Sequence, residues 1–490
     1  MDAAEFKHVV LGIVFLKYLT DSTEEAEVPP GRPARAGVNG QETKRERPGF
    51  SVPPEARWEY LRTNAGSNPS AAGQLIDGAM QVLETANPSL DNVLPRDYSR
   101  KNLDGRRLVE LLDVVASIGT GKTNDPSKDI LGRVYEYFLS KFASAEGKLG
   151  GEFYTPKSVV ELLVEMVEPA KGIIYDPCCG SGGMFVQSEK FVLAHGGRVN
   201  DLTVYGQESN PTTWRLCKMN LAIRGIDADI GPVPADTFHK DIHKQLKADF
   251  ILANPPFNMS DWGGERLSQD ARWEFGSPPP GNANFAWMQH MIYHLSSSGV
   301  AAIVLSNGAL SSNQNGEAQV RSAIIEGDLI DCIVSLPPQL FYTTQIPVSV
   351  WVLTRSKNRP GQRDRRGRVL FVHAYHLGEL KDRTHRELTI SDISSISQVY
   401  HSWRDDVPTA RYRDVPGFCN SVGISDIRKH RMALVPGRYV GFDKAAIPAF
   451  SAEDIRSELA AIRKRFAASE AASKRALQIL EELLNGRAAS

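Results

Sequence analysis

Short, β-branched apolar runs alternate with helical stretches through the middle of this 490-residue chain, and this alternation constrains the fold more than any other feature. The apolar runs are GIIYDPCCGSGG, LTVYGQES, ADFILANPPF, GVAAIVLSNGAL, LIDCIVSLP and PVSVWVLTR. The helical stretches between them cover Ser158–Glu168, Met184–Leu193, Thr212–Ile223 and Phe285–Leu295. Strands that alternate with helices predict an α/β fold with a doubly wound parallel sheet, whose ligands lie at the carboxyl ends of the strands.

The segments on either side of this region predict two further domains. Residues 1–145 carry apolar residues at three- and four-residue spacing, which predicts an N-terminal helical domain, with a polar, Pro- and Gly-rich loop over residues 21–54. Residues 146–430 hold the α/β domain. Residues 431–490 predict a C-terminal helical tail, which either packs on its own protein or forms a coiled-coil-like arm for a partner.

Charge, cysteine spacing and the length of the one N-terminal apolar run argue against three features: unaided nucleic-acid binding, a metal site and a membrane span. The net charge is −1, whereas a chain that grips nucleic acid unaided is usually basic, so any DNA contact needs a local patch or a partner. The five cysteines show no metal-ligand spacing, which indicates reduced thiols and no metal. The apolar run Val9–Leu19 is about half the length that spans a bilayer, so we expect a soluble, cytoplasmic protein.

Acidic residues follow the predicted strands at the points where a cofactor would bind. Asp176 ends the first strand, and the loop after it contains Gly180, Ser181, Gly182 and Gly183. Glycines allow a tight turn and close approach to a ligand, and an acid in this place suits an ammonium group better than a pyrophosphate. Glu208 closes the second strand and suits ribose hydroxyls, and Asp236 suits an adenine amino group. Together these residues predict S-adenosylmethionine rather than a dinucleotide.

The stretch ADFILANPPF ends a buried strand with Asn254, Pro255, Pro256 and Phe257, which are the predicted catalytic residues. An exocyclic amine on a base is a poor nucleophile, because its lone pair is delocalised into the ring. Two acceptors that hold its hydrogens would free that lone pair, and the Asn254 side chain and the Pro255 carbonyl can serve. Phe257 would stack on a base that has left its duplex.

These motifs, in this order, resemble the amino-methyltransferases of DNA. More closely, the chain is similar to the modification (M) subunit of type I restriction–modification systems. The similar stretches extend over nearly the whole chain and include EFKHVVLGIVFLKYLTD, LGRVYEYFLSKFASAEGKLGGEFYTPKSVVELLVEMVEP, YDPCCGSGGMFVQS, GQESNPTTWRLCKMNLAIRGI, DFILANPPFN and IVSLPPQLFYTTQIPVSVWVL.

The resemblance implies a class I, Rossmann-like, N6-adenine DNA methyltransferase that uses S-adenosylmethionine. It also implies a clamp around the methionine part of the cofactor, formed by Glu152, Phe153, Tyr154, Thr155, Pro156 and Lys157. Type I M subunits typically work as two copies on one specificity subunit, which reads the double-stranded DNA, and the resemblance leaves a restriction subunit open as a further partner. Family members carry an additional helical segment before the residues that match this N-terminus, which implies a truncation or a mis-set start.

Three alternatives stay open at this point. Methyltransferases that act on RNA or on a protein glutamine also use N-P-P followed by an aromatic residue, and a catalytically idle scaffold would keep the same fold.

The basic stretch Arg355–Arg368 lies between two strand-like runs. It is either a solvated hairpin loop or a contact with the DNA backbone.

Overall fold

The computed structural model describes residues 3–27, 50–100, 103–117, 155–198, 200–314, 316–342, 344–407 and 411–442, together with positions 135, 137, 456, 459, 460, 462 and 463. The chain forms two compact units, Met1–Val440 and Gly441–Ser490. Most of the predicted tail lies outside the described residues, and positions 456, 459, 460, 462 and 463 of the second unit are helical. None of the helices in the described part of the chain is long and apolar enough to cross a membrane.

Four α-helices near the N-terminus confirm the helical character of the predicted domain up to residue 117, and residues 118–145 lie outside the described residues apart from positions 135 and 137. They are α1 (Ala3–Glu27), α2 (Trp58–Ser67), α3 (Ala72–Ala86) and α4 (Gly105–Ser117), with short 3-10 helices at Pro54–Ala56, Pro69–Ala71 and Pro88–Leu90. On α3, Ile76, Met80 and Leu83 are buried, which is the i, i+4, i+7 stripe of an amphipathic helix. The predicted loop start at residue 21 is wrong, since Asp21–Glu27 contains no Pro or Gly and α1 continues through it.

A nine-stranded sheet forms the centre of the α/β region. Its strands are β1 (Gly172–Asp176), β2 (Leu202–Gly206), β3 (Ala228–Asp229), β4 (Ala248–Ala253), β5 (Leu295–Ser306), β6 (Ile330–Ser335), β7 (Val348–Thr354), β8 (Arg368–His373) and β11 (Cys419–Gly423), while β9 (Glu379–Leu380) and β10 (Arg386–Glu387) form a separate hairpin. The order across the sheet is β3-β2-β1-β4-β5-β7-β6-β8-β11. All residues of β6 and β7 are buried, which explains why these strands appear in the sequence as continuous apolar runs.

Helices accompany the sheet as predicted. They are α5 (Lys157–Val167), α6 (Gly183–Ala194), α7 (Pro211–Arg224), α8 (Asn284–His294), α9 (Glu317–Glu326), α10 (Ile390–Arg404) and α11 (Ile424–Lys429). The four helices predicted between residues 158 and 295 are confirmed to within one residue at each end. The N-terminal helices pack directly on this region, because the Tyr18 hydroxyl of α1 donates to the carbonyl of Ile223 on α7 at 2.5 Å.

The expectation of an all-parallel sheet is wrong at two strands. β7 runs antiparallel to both β5 and β6, and β11 runs antiparallel to β8. The segment 336–347, which joins β6 to β7, holds no helix among its described residues, so the chain turns back beside β6 instead of crossing over. β1, β2, β4 and β5 remain parallel, and their carboxyl ends therefore lie on one edge of the sheet.

The basic stretch Arg355–Arg368 joins β7 to β8 at the opposite, amino edge of the sheet. Lys357 is buried there, and its Nζ donates to the Asp328 carboxylate at 2.6 Å and to two backbone carbonyls at 2.8 Å. Arg365 is also buried and pairs with Asp331 of β6. These contacts favour the structural interpretation of the stretch over the DNA contact.

Candidate active site

The topological switch point of the sheet lies between β1 and β4, and it brings the two predicted motifs side by side. β2 and β3 extend the sheet on one side of β1, whereas β5 extends it on the other side of β4. Tyr175 of β1 pairs with Ile251 of β4, so Asp176 and Asn254 stand at the ends of neighbouring strands on one edge. In open α/β sheets a crevice forms at this point and ligands bind in it.

The glycine-rich loop turns sharply between β1 and α6. Gly180 and Gly182 have φ angles of 54° and 80°, a region that residues with a Cβ rarely adopt. A Cβ on Gly182 would also lie 3.0 Å from Sγ of Cys217 on α7. The path of this loop therefore depends on glycine both for its backbone angles and for its close approach to α7.

Hydrogen bonds from two neighbouring elements hold the same loop. The Asn220 side chain of α7 donates to the carbonyl of Ser181 at 2.7 Å. The N–H of Gly180 donates to the Glu208 carboxylate at 3.0 Å, and Gly183 follows as the first residue of α6. The loop is therefore fixed by contacts within the protein, and the sequence pattern alone gave no sign of the contribution of Asn220.

The Asp176 carboxylate is buried at the end of β1, with 2% of the residue exposed. It accepts a hydrogen bond from the N–H of Cys178 at 3.0 Å. Burial raises its pKa to about 7, and the nearby Glu208 contributes to the rise. A buried carboxyl group with a raised pKa gains when a cation binds beside it, so this strand end is suited to an ammonium group.

Glu208 and Asp236 lie on the same side of the switch point as β2. Glu208 accepts a hydrogen bond from the N–H of Asn210 at 2.7 Å, in addition to its contact with the glycine-rich loop. Asp236 accepts from two backbone N–H groups of the turn that it begins, at 2.8 and 3.0 Å. The N–H of Ala235 donates to the carbonyl of Glu208, which joins the two segments. Both carboxylates thus shape this edge, and their contact with a cofactor stays a prediction.

The Asn254 side chain combines burial with an unmet hydrogen bond. The residue is 8% exposed, and no donor among the described residues reaches its Oδ1. Its Nδ2 donates to Oγ1 of Thr155 at 2.9 Å. A buried acceptor without a donor costs about 1–3 kcal/mol, and at a switch point this oxygen is suited to a ligand that supplies the donor.

The residues after Asn254 form the turn that ends β4. Pro255 is buried and Pro256 is half-buried. The ring of Phe257 lies edge-on to the ring of Phe341, with their centroids 5.5 Å apart. Phe341 belongs to the segment that follows β6 and joins it to β7. The segment after β6 therefore lies beside Phe257, the predicted base-binding residue.

Asn258 and Asn284 support this turn, and the sequence prediction did not include either. The N–H of Asn258 donates to Oδ1 of Asn284 at 3.0 Å, and Nδ2 of Asn284 donates back to Oδ1 of Asn258 at 2.9 Å. Asn258 has a φ angle of 53°, which asparagine tolerates better than most residues. The asparagine directly after N-P-P-F is the sequence signal that could have identified it.

The predicted cofactor clamp covers residues 152–157, and half of it is described. Glu152, Phe153 and Tyr154 lie outside the described residues. Pro156 directly precedes α5, and Lys157 at its start pairs with Glu161 at 3.2 Å. The Thr155 hydroxyl accepts a hydrogen bond from the Asn254 side-chain amide, and a cofactor contact for this segment stays a prediction.

A buried cluster behind the strand ends contains the residue types that bind metals. Asp241, His290 and His294 place one possible ligand atom each within 4.8 Å of one another. Each ring nitrogen already has a partner: His290 contacts the Tyr175 hydroxyl and the Arg272 guanidinium, and His294 contacts Asp241 and a backbone carbonyl. A guanidinium 3.1 Å from His290 opposes a second cation. We therefore interpret the cluster as a hydrogen-bonded support for β1.

Two family models match the chain. Residues 126–446 match the model described as N-6 DNA Methylase, and residues 1–115 match the HsdM N-terminal domain. The first match alone covers more than half of the chain and includes the glycine-rich loop, Asn254 and the basic stretch.

Relatives and solved structures agree with these matches. The type I restriction enzyme HindI methylase subunit of Haemophilus influenzae is 44% identical over 437 residues, which are 85% of this chain and 96% of that protein. The MjaIX methylase subunit of Methanocaldococcus jannaschii is 37% identical over 90% of this chain and 81% of that protein.

Two solved structures confirm the fold. The type I restriction-modification methyltransferase subunit from Streptococcus thermophilus has a TM-score of 0.73 at 23% identity, over 90% of this chain and 96% of that one. A chain from a structure of type I R-M complex assembly has a TM-score of 0.61 at 18% identity, over 96% and 93% of the two chains. The chain therefore belongs to the N-6 DNA methylase family, among the methylase subunits of type I restriction–modification systems.

Proposed function

We propose that this chain transfers the methyl group of S-adenosylmethionine to N6 of a specific adenine in double-stranded DNA, as the modification subunit of a type I complex. The buried Oδ1 of Asn254, which has no donor among the described residues, carries the proposal. An adenine amino group supplies the missing donor. Membership in the N-6 DNA methylase family supports methylation of a base rather than of a protein side chain.

Asn254 and Pro255 act on the amine, and not on the methyl donor. Oδ1 of Asn254 and the carbonyl of Pro255 accept the two hydrogens of adenine N6, which draws the nitrogen toward tetrahedral geometry and frees its lone pair. S-adenosylmethionine supplies a methyl group on a sulfonium, so the protein needs no strong base. N6 forms its bond to the methyl carbon as the bond to sulfur breaks, which leaves a neutral thioether, and N6 then releases one proton to solvent. Phe257 holds the extruded adenine by stacking.

The cofactor is held by the chain's own acids and glycines at the ends of β1 and β2. Asp176 takes the ammonium group, and its buried carboxyl, with a pKa of about 7, fits that role. Glu208 takes the ribose hydroxyls and Asp236 the adenine amino group. The glycine-rich loop and the segment 152–157 enclose the methionine part. The proposal rests on the order of these groups along one sheet edge.

A second chain selects the adenine. The net charge of −1 is too low for unaided DNA binding, and Lys357 and Arg365 of the basic stretch are buried in ion pairs. We therefore infer that a specificity subunit supplies the DNA contacts; the family resemblance implies two copies of this chain on one such subunit and leaves a restriction subunit as a further partner. Because the substrate is duplex DNA, the complex works in the cytoplasm.

The test combines this chain with the specificity subunit encoded beside it, S-adenosylmethionine labelled in its methyl group, and duplex DNA. The expected product is N6-methyladenine after enzymatic digestion of the DNA. The label should be lost with Asn254→Ala, while Asn358→Ala, an exposed asparagine at the opposite edge of the sheet, should retain it.

Other outcomes separate the alternatives. Label on cytosine would overturn the choice of adenine, and label on RNA or protein but not on DNA would overturn the substrate class. A complex that binds DNA and carries no label on any of the three would support an idle scaffold.

A further inference from the structure

Within the described part of the chain, the Asn254 side chain makes one hydrogen bond, to Thr155. Nδ2 donates to Oγ1 of Thr155 at 2.9 Å, between residues 99 positions apart. Oδ1 is buried without a donor among the described residues. One end of the amide is therefore satisfied by the protein, and the other end is left for a ligand.

An asparagine amide can rotate by 180° about its last bond, which exchanges its oxygen and its nitrogen at almost no change in shape. The choice matters for the proposed reaction, because only Oδ1 can accept the hydrogens of an amine. A rotated amide would present Nδ2 to the adenine amino group, donor against donor. The amine therefore excludes the rotated orientation, and the productive orientation needs a separate acceptor for Nδ2.

We propose that Thr155 is a positioning residue, which orients the Asn254 amide so that Oδ1 meets the target amine. A hydroxyl can also donate, so it does not select the orientation alone; it supplies the acceptor that Nδ2 needs when Oδ1 faces the amine. This inference rests on the proposed function. It gives Thr155 a role in the methyl-transfer step that differs from the predicted contact with the methionine part of the cofactor.

The chain around Thr155 is suited to hold a hydroxyl in place. Pro156 follows it, and a residue before proline is confined largely to extended conformations. The carbonyl of Pro156 accepts the N–H groups of Val159 and Val160 at 3.0 and 3.1 Å, which anchors the start of α5. Val159 and Leu163 of α5 are fully buried. The hydroxyl therefore stands at the end of a packed helix rather than in a free loop.

The experiment compares Thr155→Val, Thr155→Ser and wild type in the complex with the specificity subunit. Valine keeps the size of threonine and removes the acceptor, whereas serine keeps the acceptor. Thr63→Val, at an exposed position of α2, is the matched control. The measurements are kcat at saturating cofactor, KM for DNA, the Kd of S-adenosylmethionine by calorimetry, and the melting temperature.

Thr155→Val should lower kcat by about tenfold or more, with the Kd of the cofactor changed by less than about twofold. Thr155→Ser should keep kcat within about threefold of wild type, and Thr63→Val should match wild type. If valine lowers the melting temperature, Thr155→Ala provides the second variant and should show the same loss of kcat.

An undiminished kcat in Thr155→Val would overturn the inference. A raised Kd for the cofactor with kcat unchanged would overturn it too, in favour of the cofactor clamp. A wild-type complex that methylates no adenine is a separate result, because it removes the proposed function itself and the inference with it.

Discussion

Two sets of buried polar groups, one at each edge of the central sheet, differ in how far the protein itself satisfies them. At the amino edge, Arg365 and Asp331 form a two-point ion pair at 3.2 Å, and the Tyr400 hydroxyl donates to the same carboxylate at 2.8 Å. At the carboxyl edge, Asn254 buries an oxygen that no described donor reaches, and Asp176 is buried with a raised pKa. The Arg365–Asp331 pair is satisfied within the protein, whereas at the carboxyl edge the Asn254 oxygen lacks a described donor and the buried Asp176 carboxyl lacks a described cation.

This difference separates structure from function in a chain that has charged or polar residues at both edges. Groups that satisfy one another contribute to the fold and need no ligand. A buried group left unmatched is retained at a cost in stability, which selection tolerates where a ligand meets it. In the proposed function, the target amine supplies the donor at the carboxyl edge and the ammonium group of the cofactor supplies the cation.

Removal of Asp331 should have the largest effect on stability. Asp331→Ala leaves the Arg365 guanidinium buried without its partner, and we expect a loss of about 3–5 kcal/mol in the free energy of unfolding. Denaturant titration measures this loss. Asp364→Ala removes an exposed partner of Arg366 and is the matched control, which should unfold at the wild-type midpoint. Wild-type stability of Asp331→Ala would show that the amino edge does not depend on this pair.

A change of pH should have a smaller effect, confined to the carboxyl edge. Below pH 7 the Asp176 carboxyl of the unliganded protein is protonated, because its pKa is about 7. A cationic ammonium group binds the ionised form, so the affinity for S-adenosylmethionine should fall by up to about tenfold for each pH unit between 7 and 5. Calorimetry across this range measures the slope.

The stability of the unliganded protein should change with pH in the direction opposite to that of cofactor affinity. The pKa of Asp176 is raised from 3.8 to about 7, so its contribution to stability is fully present below pH 3.8 and is lost as the pH rises through 7.

Asp176→Asn cannot ionise, and it should remove the pH dependence of cofactor binding in the acid range. If cofactor affinity in Asp176→Asn falls as steeply with pH as in wild type, the pH dependence of binding belongs to another group.

The exposed charges of the basic stretch should have the smallest effect. Arg366 pairs with Asp364 on the surface, with 64% of its side chain exposed. Arg366→Gln should leave the salt dependence of DNA binding by the complex unchanged, because the stretch acts in the fold. A slope of log affinity against log salt concentration that is reduced by about one would instead indicate a phosphate contact. That result would restore the DNA-binding interpretation of the stretch.

The sequence predicts the carboxyl edge better than the amino edge, for physical reasons. Buried parallel strands need continuous apolar runs, and a strand end needs a breaker, so Asp176 and Asn254 are visible in the local pattern. The burial of Lys357 and Arg365 depends on acids that other strands supply, and a local pattern cannot show it. A basic run appears in the sequence as solvated whether or not such partners exist.

Three further features escaped prediction for different reasons. The contact between Thr155 and Asn254 joins residues 99 positions apart, so no local spacing encodes it. α10 carries few apolar residues among its serines, although the capping box of Thr389 and Asp392 marks its start and could have been recognised. Strand direction at β7 follows from a connection without a described helix, which the apolar pattern does not reveal.

The most direct test of the contrast between the edges is Asn254→Ala, with methyl transfer and melting temperature measured on one preparation of the complex. We predict that transfer of the labelled methyl group to adenine falls by about hundredfold or more, while the melting temperature stays level or rises, since the variant removes a buried acceptor that lacks a described donor. Transfer at the wild-type rate, or a melting temperature lowered by several degrees as in Asp331→Ala, would contradict the assignment of this oxygen to the substrate.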